Sequence, residues 1–191
     1  MSDIQKLAAD YFSRLHQMLA GVDTSAIARV ADALHVAWKE GRTVYVAGNG
    51  GSAATASHMA CDLSKGTAAP NRNRLRVISL ADNVAWLTAI GNDIDYHSIF
   101  TEPLENQFRA DDVLMVISAS GNSPNIVKAV EWANAHSGKT IAFCGFTGGR
   151  IHEIAHISVH LPSNDYGPVE DGHLILNHIL VEYLRAKIHA S

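Results

Sequence analysis

The hydrophobic positions of this chain change period again and again between helical and extended spacing. From 3 to 20 the apolar residues Leu7, Tyr11, Leu15 and Leu19 recur every four positions, and 24–40 continues that rhythm until Gly41 ends it. The period then shortens. Strands are predicted over 43–47, 74–80, 113–118, 139–143 and 157–161. Helices are predicted over 52–65, 83–91, 97–108, 123–136 and 149–155, and a long terminal helix over 169–189. The run 113–117 is apolar at every position, which marks a strand covered on both faces, as in a parallel sheet. Alternating β and α units of this kind predict an α/β fold: a doubly wound, five-stranded parallel sheet flanked by helices, with the two N-terminal helices outside the core. Ligands of such sheets bind beyond the carboxyl ends of the strands. The segments 48–52 and 118–123 both fall there and should converge on one crevice.

The N-terminal helices, within 1–40, precede the sheet and carry an apolar face that something must cover. Core packing and a helical oligomer interface both satisfy that need. No repeat, low-complexity tract or linker divides the rest, so 1–191 reads as one domain. Hydrophobic residues make up 47% of the chain and charged residues 18%, the balance of an ordinary folded protein. A net charge of −4 with no basic patch argues against a nucleic-acid partner, and Arg72, Arg74 and Arg76 read as a solvated loop entering a strand. Cys61 and Cys144 form no disulfide framework and read as reduced thiols. No apolar run is long enough to span a membrane and the N-terminal pattern is not a signal peptide, so neither membrane nor export is expected, and the cytoplasm is the predicted location.

The candidate chemistry begins at Val44-Tyr45-Val46-Ala47-Gly48-Asn49-Gly50-Gly51-Ser52, a β-branched run that stops in a glycine cluster. Glycines permit positive φ and close approach of a ligand, and the unpaired N–H groups of a helix start favour an anion such as phosphate. Ser118-Ala119-Ser120-Gly121-Asn122-Ser123 is a second anion candidate, offering hydroxyls and helix-start N–H groups without positive charge. Simple helix capping explains those serines equally well in isolation. Gly48, Gly50 and Ala53 also fit a dinucleotide-binding turn, but Asp82 lies beyond the spacing at which an acidic residue binds ribose. A triphosphate-binding loop ending in Gly-Lys-Ser/Thr is absent. Helical spacing puts His58 and Asp62 on one face, as two metal ligands or as a base and its partner, although an exposed polar pair has the same spacing. Glu170 and Asp171 near a helix start complement its dipole, and His178 sits among apolar residues. Glu170 and His178 are eight positions apart, roughly 12 Å along a helix axis, so spacing alone gives them no shared site.

These residues resemble a known family. Gly48-Asn49-Gly50-Gly51-Ser52 with His58, then Gly91-Asn92-Asp93, then Ser118-x-Ser120-Gly121-Asn122-Ser123, then Gly172-His173 and His178, resemble the SIS (sugar isomerase) domain of the phosphoheptose isomerase type, over nearly the whole chain. The resemblance implies interconversion of sedoheptulose 7-phosphate and D-glycero-D-manno-heptose 7-phosphate through an enediol, for bacterial surface heptose. It implies a homotetramer with active sites between subunits, one zinc per subunit and no organic cofactor. It implies that Asn49, Gly50, Gly51, Ser52, Asn92, Asp93, Ser118, Ser120 and Ser123, with Asp62 and Glu170, hold the sugar phosphate. Zinc would sit on His58, Asp62, Glu170 and His178, with Asp62 as the carbon base and His178 as the acid/base at oxygen. Three positions depart from the family pattern: Asp62 stands for Glu, Glu170 for Gln, and Ala119 for Thr. Alternatives are another ketose phosphate as substrate, a sugar-phosphate sensor, or a non-catalytic binding protein of the replication-initiator-associating type.

Overall fold

A computed structural model describes residues 2–191. Met1, the first residue of the domain expected over 1–191, lies outside them. The element order is α1 (Asp3–Ala20), α2 (Thr24–Glu40), β1 (Thr43–Gly48), α3 (Gly51–Cys61), β2 (Arg76–Ser79), α4 (Val84–Asp93), α5 (Thr101–Gln107), β3 (Val113–Ser118), α6 (Pro124–Ala135), β4 (Lys139–Cys144), α7 (Gly149–Ile154), β5 (Ile157–His160) and α8 (Tyr166–Ala190). The five strands form one parallel sheet in the order β2-β1-β3-β4-β5. This is the doubly wound α/β architecture that the alternating periods predict.

Side chains alternate across the sheet as the period of two requires. Val44 and Val46 of β1 face a cluster with Leu34, Met59, Leu180 and Leu184, from α2, α3 and α8. Tyr45 and Ala47 face the opposite cluster with Leu104, Ile126 and Val130, from α5 and α6. Every residue of β1 and β3 is buried.

Both N-terminal helices are expected outside the core; α2 is instead part of it, and α1 touches it only along the edge that carries Leu15, Met18 and Leu19. Helix α2 buries Ala26, Val30, Ala31, Leu34, Ala37 and Trp38 and belongs to the core, capped by Asp23, which accepts from Ser25 N at 2.9 Å, and closed by Gly41 in the left-handed region. Helix α1 lies outside it. Only Met18 of α1 is buried, while Ile4, Leu7 and Phe12 are exposed.

Three boundaries differ from the sequence pattern, for identifiable reasons. The helix expected over 52–65 ends at Cys61 and continues as one wider π turn, Asp62–Gly66. The helix expected over 97–108 breaks into a 3₁₀ turn at Tyr96–Ser98 and α5, because Pro103 has no N–H and its ring would clash with the preceding turn. Helix α8 begins at Tyr166, three residues early, since Pro168 is tolerated in a first turn. No helix among the described residues is long and apolar enough to cross a membrane.

Candidate active site

The strand order reverses direction between β1 and β3: the chain leaves β1 toward β2 on one side and leaves β3 toward β4 on the other. That switch point opens a crevice at the carboxyl ends of the two strands, where Gly48 pairs with Ile117. A cavity of about 160 Å³ occupies it, lined by Asn49, Ser52, Ser118, Ser120, Ser123 and Glu170 among others. The two sequence-distant loops therefore meet as expected. No lysine or arginine lines the cavity, so an anion there would rest on hydroxyls and helix-start N–H groups.

Local structure explains both loops. Gly50 is the N-cap of α3 with φ 55, so α3 begins at Gly51, and Ser52 of its first turn lines the cavity while Gly50 and Gly51 do not. Ser123 is the N-cap of α6, yet its hydroxyl makes no capping hydrogen bond. It lies 3.5 Å from Ser118 Oγ, which accepts from Gly121 N at 3.2 Å. Capping therefore does not account for Ser123. Asn49 and Asn125 exchange two amide hydrogen bonds of 2.9 Å each, tying the end of β1 to the start of α6, and Tyr96 donates to Asn49 Oδ1 at 3.2 Å. Asn125 is 1% exposed and was not singled out from the sequence. Asn92 and Asp93 close α4, exposed and hydrogen-bonded to each other at 2.8 Å; they do not line the cavity.

A second group lies farther along α3. From Ser52 to His58 is roughly 9 Å of helix axis. Here His58 Nε2 is 3.0 Å from Asp62 Oδ2, and His178 Nε2 reaches the same oxygen at 3.8 Å from α8. The two imidazoles meet edge to face with centroids 5.5 Å apart. One ligand atom from each of the three residues falls within 4.8 Å of the others. Tetrahedral zinc with bonds of about 2.0–2.1 Å takes such nitrogen and carboxylate donors, so these three fit a zinc ion with little movement. All three are partly open to solvent. Asn177 Nδ2 donates to Asp62 Oδ2 at 3.0 Å from a fully buried position.

Glu170 does not join this group. Its carboxylate sits over the first residue of α3, so close that a Cβ built on Gly51 would lie 2.6 Å from Glu170 Oε1. There it faces the positive end of α3 and borders the phosphate-sized cavity. Helix α1 braces this region: Tyr11 donates to Asp171 Oδ2 at 2.6 Å and Arg14 pairs with Asp165. The Asp171 hydrogen bond, helped by burial, pushes the Tyr11 phenol up to about 12. A larger cavity of about 900 Å³ lies at the amino ends of β3, β4 and β5. Its wall mixes Arg29, Arg42 and Lys139 with Asp32, Glu40 and Asp111, without the glycine turns or acid–base cluster of the crevice.

Residues 10–145 match the family model of the SIS domain. The phosphoheptose isomerase of Citrifermentans bemidjiense is 36% identical over 183 residues, covering 96% of this chain and 93% of that protein. A solved phosphoheptose isomerase from Francisella tularensis superposes with a TM-score of 0.86 at 29% identity, over 97% of this chain and all of that one. Another, from Neisseria gonorrhoeae, gives 0.88 at 26% identity over 96% of this chain and 99% of the other.

Proposed function

This chain belongs to the SIS domain family, in its phosphoheptose isomerase branch, and from that membership we propose that it interconverts sedoheptulose 7-phosphate and D-glycero-D-manno-heptose 7-phosphate in heptose biosynthesis. The observation that carries the reading is the polarity of α3. Its first turn opens on an anion cavity, and its last turn, with the π turn that follows, holds His58 and Asp62 beside His178. An extended sugar phosphate laid along this helix has its phosphate at Ser118, Ser120, Ser123 and Ser52, beside the turn of Gly50 and Gly51. Its carbonyl end then lies toward the acid–base group.

Isomerisation moves one proton between C1 and C2 and another between the two oxygens, through an enediol. Asp62 takes the proton from C1 of the ketose and returns it to C2. His178 carries the proton between O2 and O1. Asn49 is held rigid by Asn125 and fixes the turn that cradles the phosphate. Asn92 and Asp93, outside this cavity, bind sugar hydroxyls here or in a neighbouring copy. Zinc on His58, Asp62 and His178 would polarise the carbonyl when bound, and His178 would be free to carry a proton only while its Nε2 is off the metal. Glu170 supplies a fourth ligand only by leaving Gly51, and while it stays there its charge opposes an anionic ligand in the adjoining cavity.

A cavity of about 160 Å³ holds a phosphate but is well short of the roughly 300–1,000 Å³ of a complete small-ligand pocket. Exposed Ile4, Leu7 and Phe12 on α1, and Val84 and Trp86 on α4, supply faces for self-association. Both observations support a homotetramer in which a second copy completes the site. The cytoplasm is the proposed location, in keeping with a phosphorylated substrate and two free cysteines.

Turnover in deuterium oxide tests the proton path. The enediol route puts solvent deuterium at C2 of the aldose to the extent that the proton on Asp62 exchanges with solvent before its return, and Asp62→Asn lowers turnover by at least about 100-fold. Full turnover by Asp62→Asn sinks Asp62 as the base.

A further inference from the structure

Helix α8 turns one face inward, carrying Val169, His173, Leu176, Leu180 and Leu184. Asn177 stands on that face, 0% exposed, next to His178 in sequence. Its amide nitrogen donates to Asp62 Oδ2 at 3.0 Å. Its amide oxygen is buried and has no hydrogen-bond partner among the described residues. A carboxylate oxygen only accepts, so the amide must present nitrogen to Asp62 and leave its oxygen orphaned. An asparagine serving the packing of α8 would have both ends satisfied, and a leucine of similar volume would pack there without an orphan. Among the described residues, Asp62 is the one hydrogen-bond partner of the Asn177 side chain.

We propose that Asn177 is a positioning residue that fixes the division of labour between the two oxygens of Asp62. Oδ2 is held toward Asn177, His58 and His178. Oδ1 makes no side-chain hydrogen bond among the described residues and is left to take the substrate proton. The need is specific to a short carboxylate. Asp62 opens the π turn that follows α3 while its own backbone stays α-helical, its N–H donating to His58 O, and its side chain has one rotatable bond fewer than glutamate. Without the amide, the carboxylate plane turns freely about χ2 and neither oxygen is held where the histidine cluster and the substrate need it.

This inference rests on the reading of His58, Asp62 and His178 as a cation and proton-transfer site. Its test is Asn177→Leu in the full chain, read by thermal melting, by calorimetric titration of zinc into metal-stripped protein, and by kcat and KM for sedoheptulose 7-phosphate. The expected melting temperature equals or exceeds that of the parent, since the orphan oxygen is gone. Zinc affinity and kcat each fall by about 10–100-fold, the loss typical when a group that orients a ligand is removed, while KM changes less than about threefold. Folded Asn177→Leu with zinc affinity and kcat within about twofold of the parent overturns the proposal. If that variant does not fold, Asn177→Ala, which removes the amide without adding apolar volume, carries the same two outcomes. A parent chain that neither binds zinc nor turns over the sugar overturns the site reading and this inference together. A competent parent with an indifferent variant overturns this inference alone.

Discussion

His173 shows how far burial alone can move a single group. It is 0% exposed, stacks on Phe143 with centroids 6.3 Å apart, and neither ring nitrogen is hydrogen-bonded. Burial lowers its pKa from 6.5 to about 4, opposed weakly by the nearby Cys144 backbone. The unfolded chain therefore binds a proton that the native chain refuses, and stability must rise with pH across this window. The contribution is complete above pH 6.5 and is lost as pH falls toward 4, by about 2 kcal/mol between pH 7 and 5. Urea unfolding of parent and His173→Leu at both pH values checks this: the variant should lose about 2 kcal/mol less on acidification. Gly51→Ala makes a complementary case. Its new Cβ meets only the movable end of Glu170, so the melting temperature should hold while the displaced carboxylate alters KM for the sugar phosphate. His58 and Asp62 were legible as an i, i+4 pair, whereas His178 joined them only through the family resemblance. Asn125 and Asn177 were not legible, although each is a polar residue on a buried helical face; only the neighbour across the fold reveals what it is for.

Helix α3 is the element that joins the two halves of the site, and its ends are governed by different rules. The positive φ of Gly50 starts it, as the turn signal in the sequence required. Its far end widens into the π turn at Asp62, for which the periodicity carried no signal because the turn covers only Asp62–Gly66 and no helix follows to show the shifted phase. Helix α6 offers a test of whether the serine loop serves a ligand or merely its own helix. Ordinary N-cap serines are worth about 1 kcal/mol. Since the Ser123 hydroxyl makes no capping bond, Ser123→Ala should cost less than about 0.5 kcal/mol in denaturant unfolding while raising KM at least tenfold. A full capping loss with KM unchanged would return Ser123 to the bland role. Gly121 is different in kind. It sits at φ 67, and a Cβ there would lie 1.9 Å from Gly148 O, a backbone atom that cannot step aside. Gly121→Ala should therefore destabilise the protein by about 2 kcal/mol or more and open the loop.

Across the whole molecule, parallel strands covered on both faces fix the crevice at the switch point, and that much followed from the alternation of periods along the chain. What one chain leaves unfinished is also visible: an anion cavity too small for a sugar phosphate, and apolar side chains open on α1 and α4. Those faces predict self-association, so sedimentation should find a tetramer, and Leu7→Asp with Phe12→Asp should shift it to smaller species with loss of turnover. The sequence carried the family, the motifs and the separation of roughly 12 Å along the helix axis between Glu170 and His178; it did not carry the resting place of the Glu170 carboxylate, which lies over Gly51 at the start of α3. The central claim is that the crevice and the His58–Asp62–His178 group form one sugar-phosphate isomerase site. Turnover of sedoheptulose 7-phosphate by metal-stripped protein, with and without added zinc, measures it most directly. The account predicts aldose 7-phosphate formed in a zinc-stimulated reaction and abolished in a folded His178→Ala variant. No product at any zinc concentration from an intact oligomer, or undiminished product from His178→Ala, would contradict it.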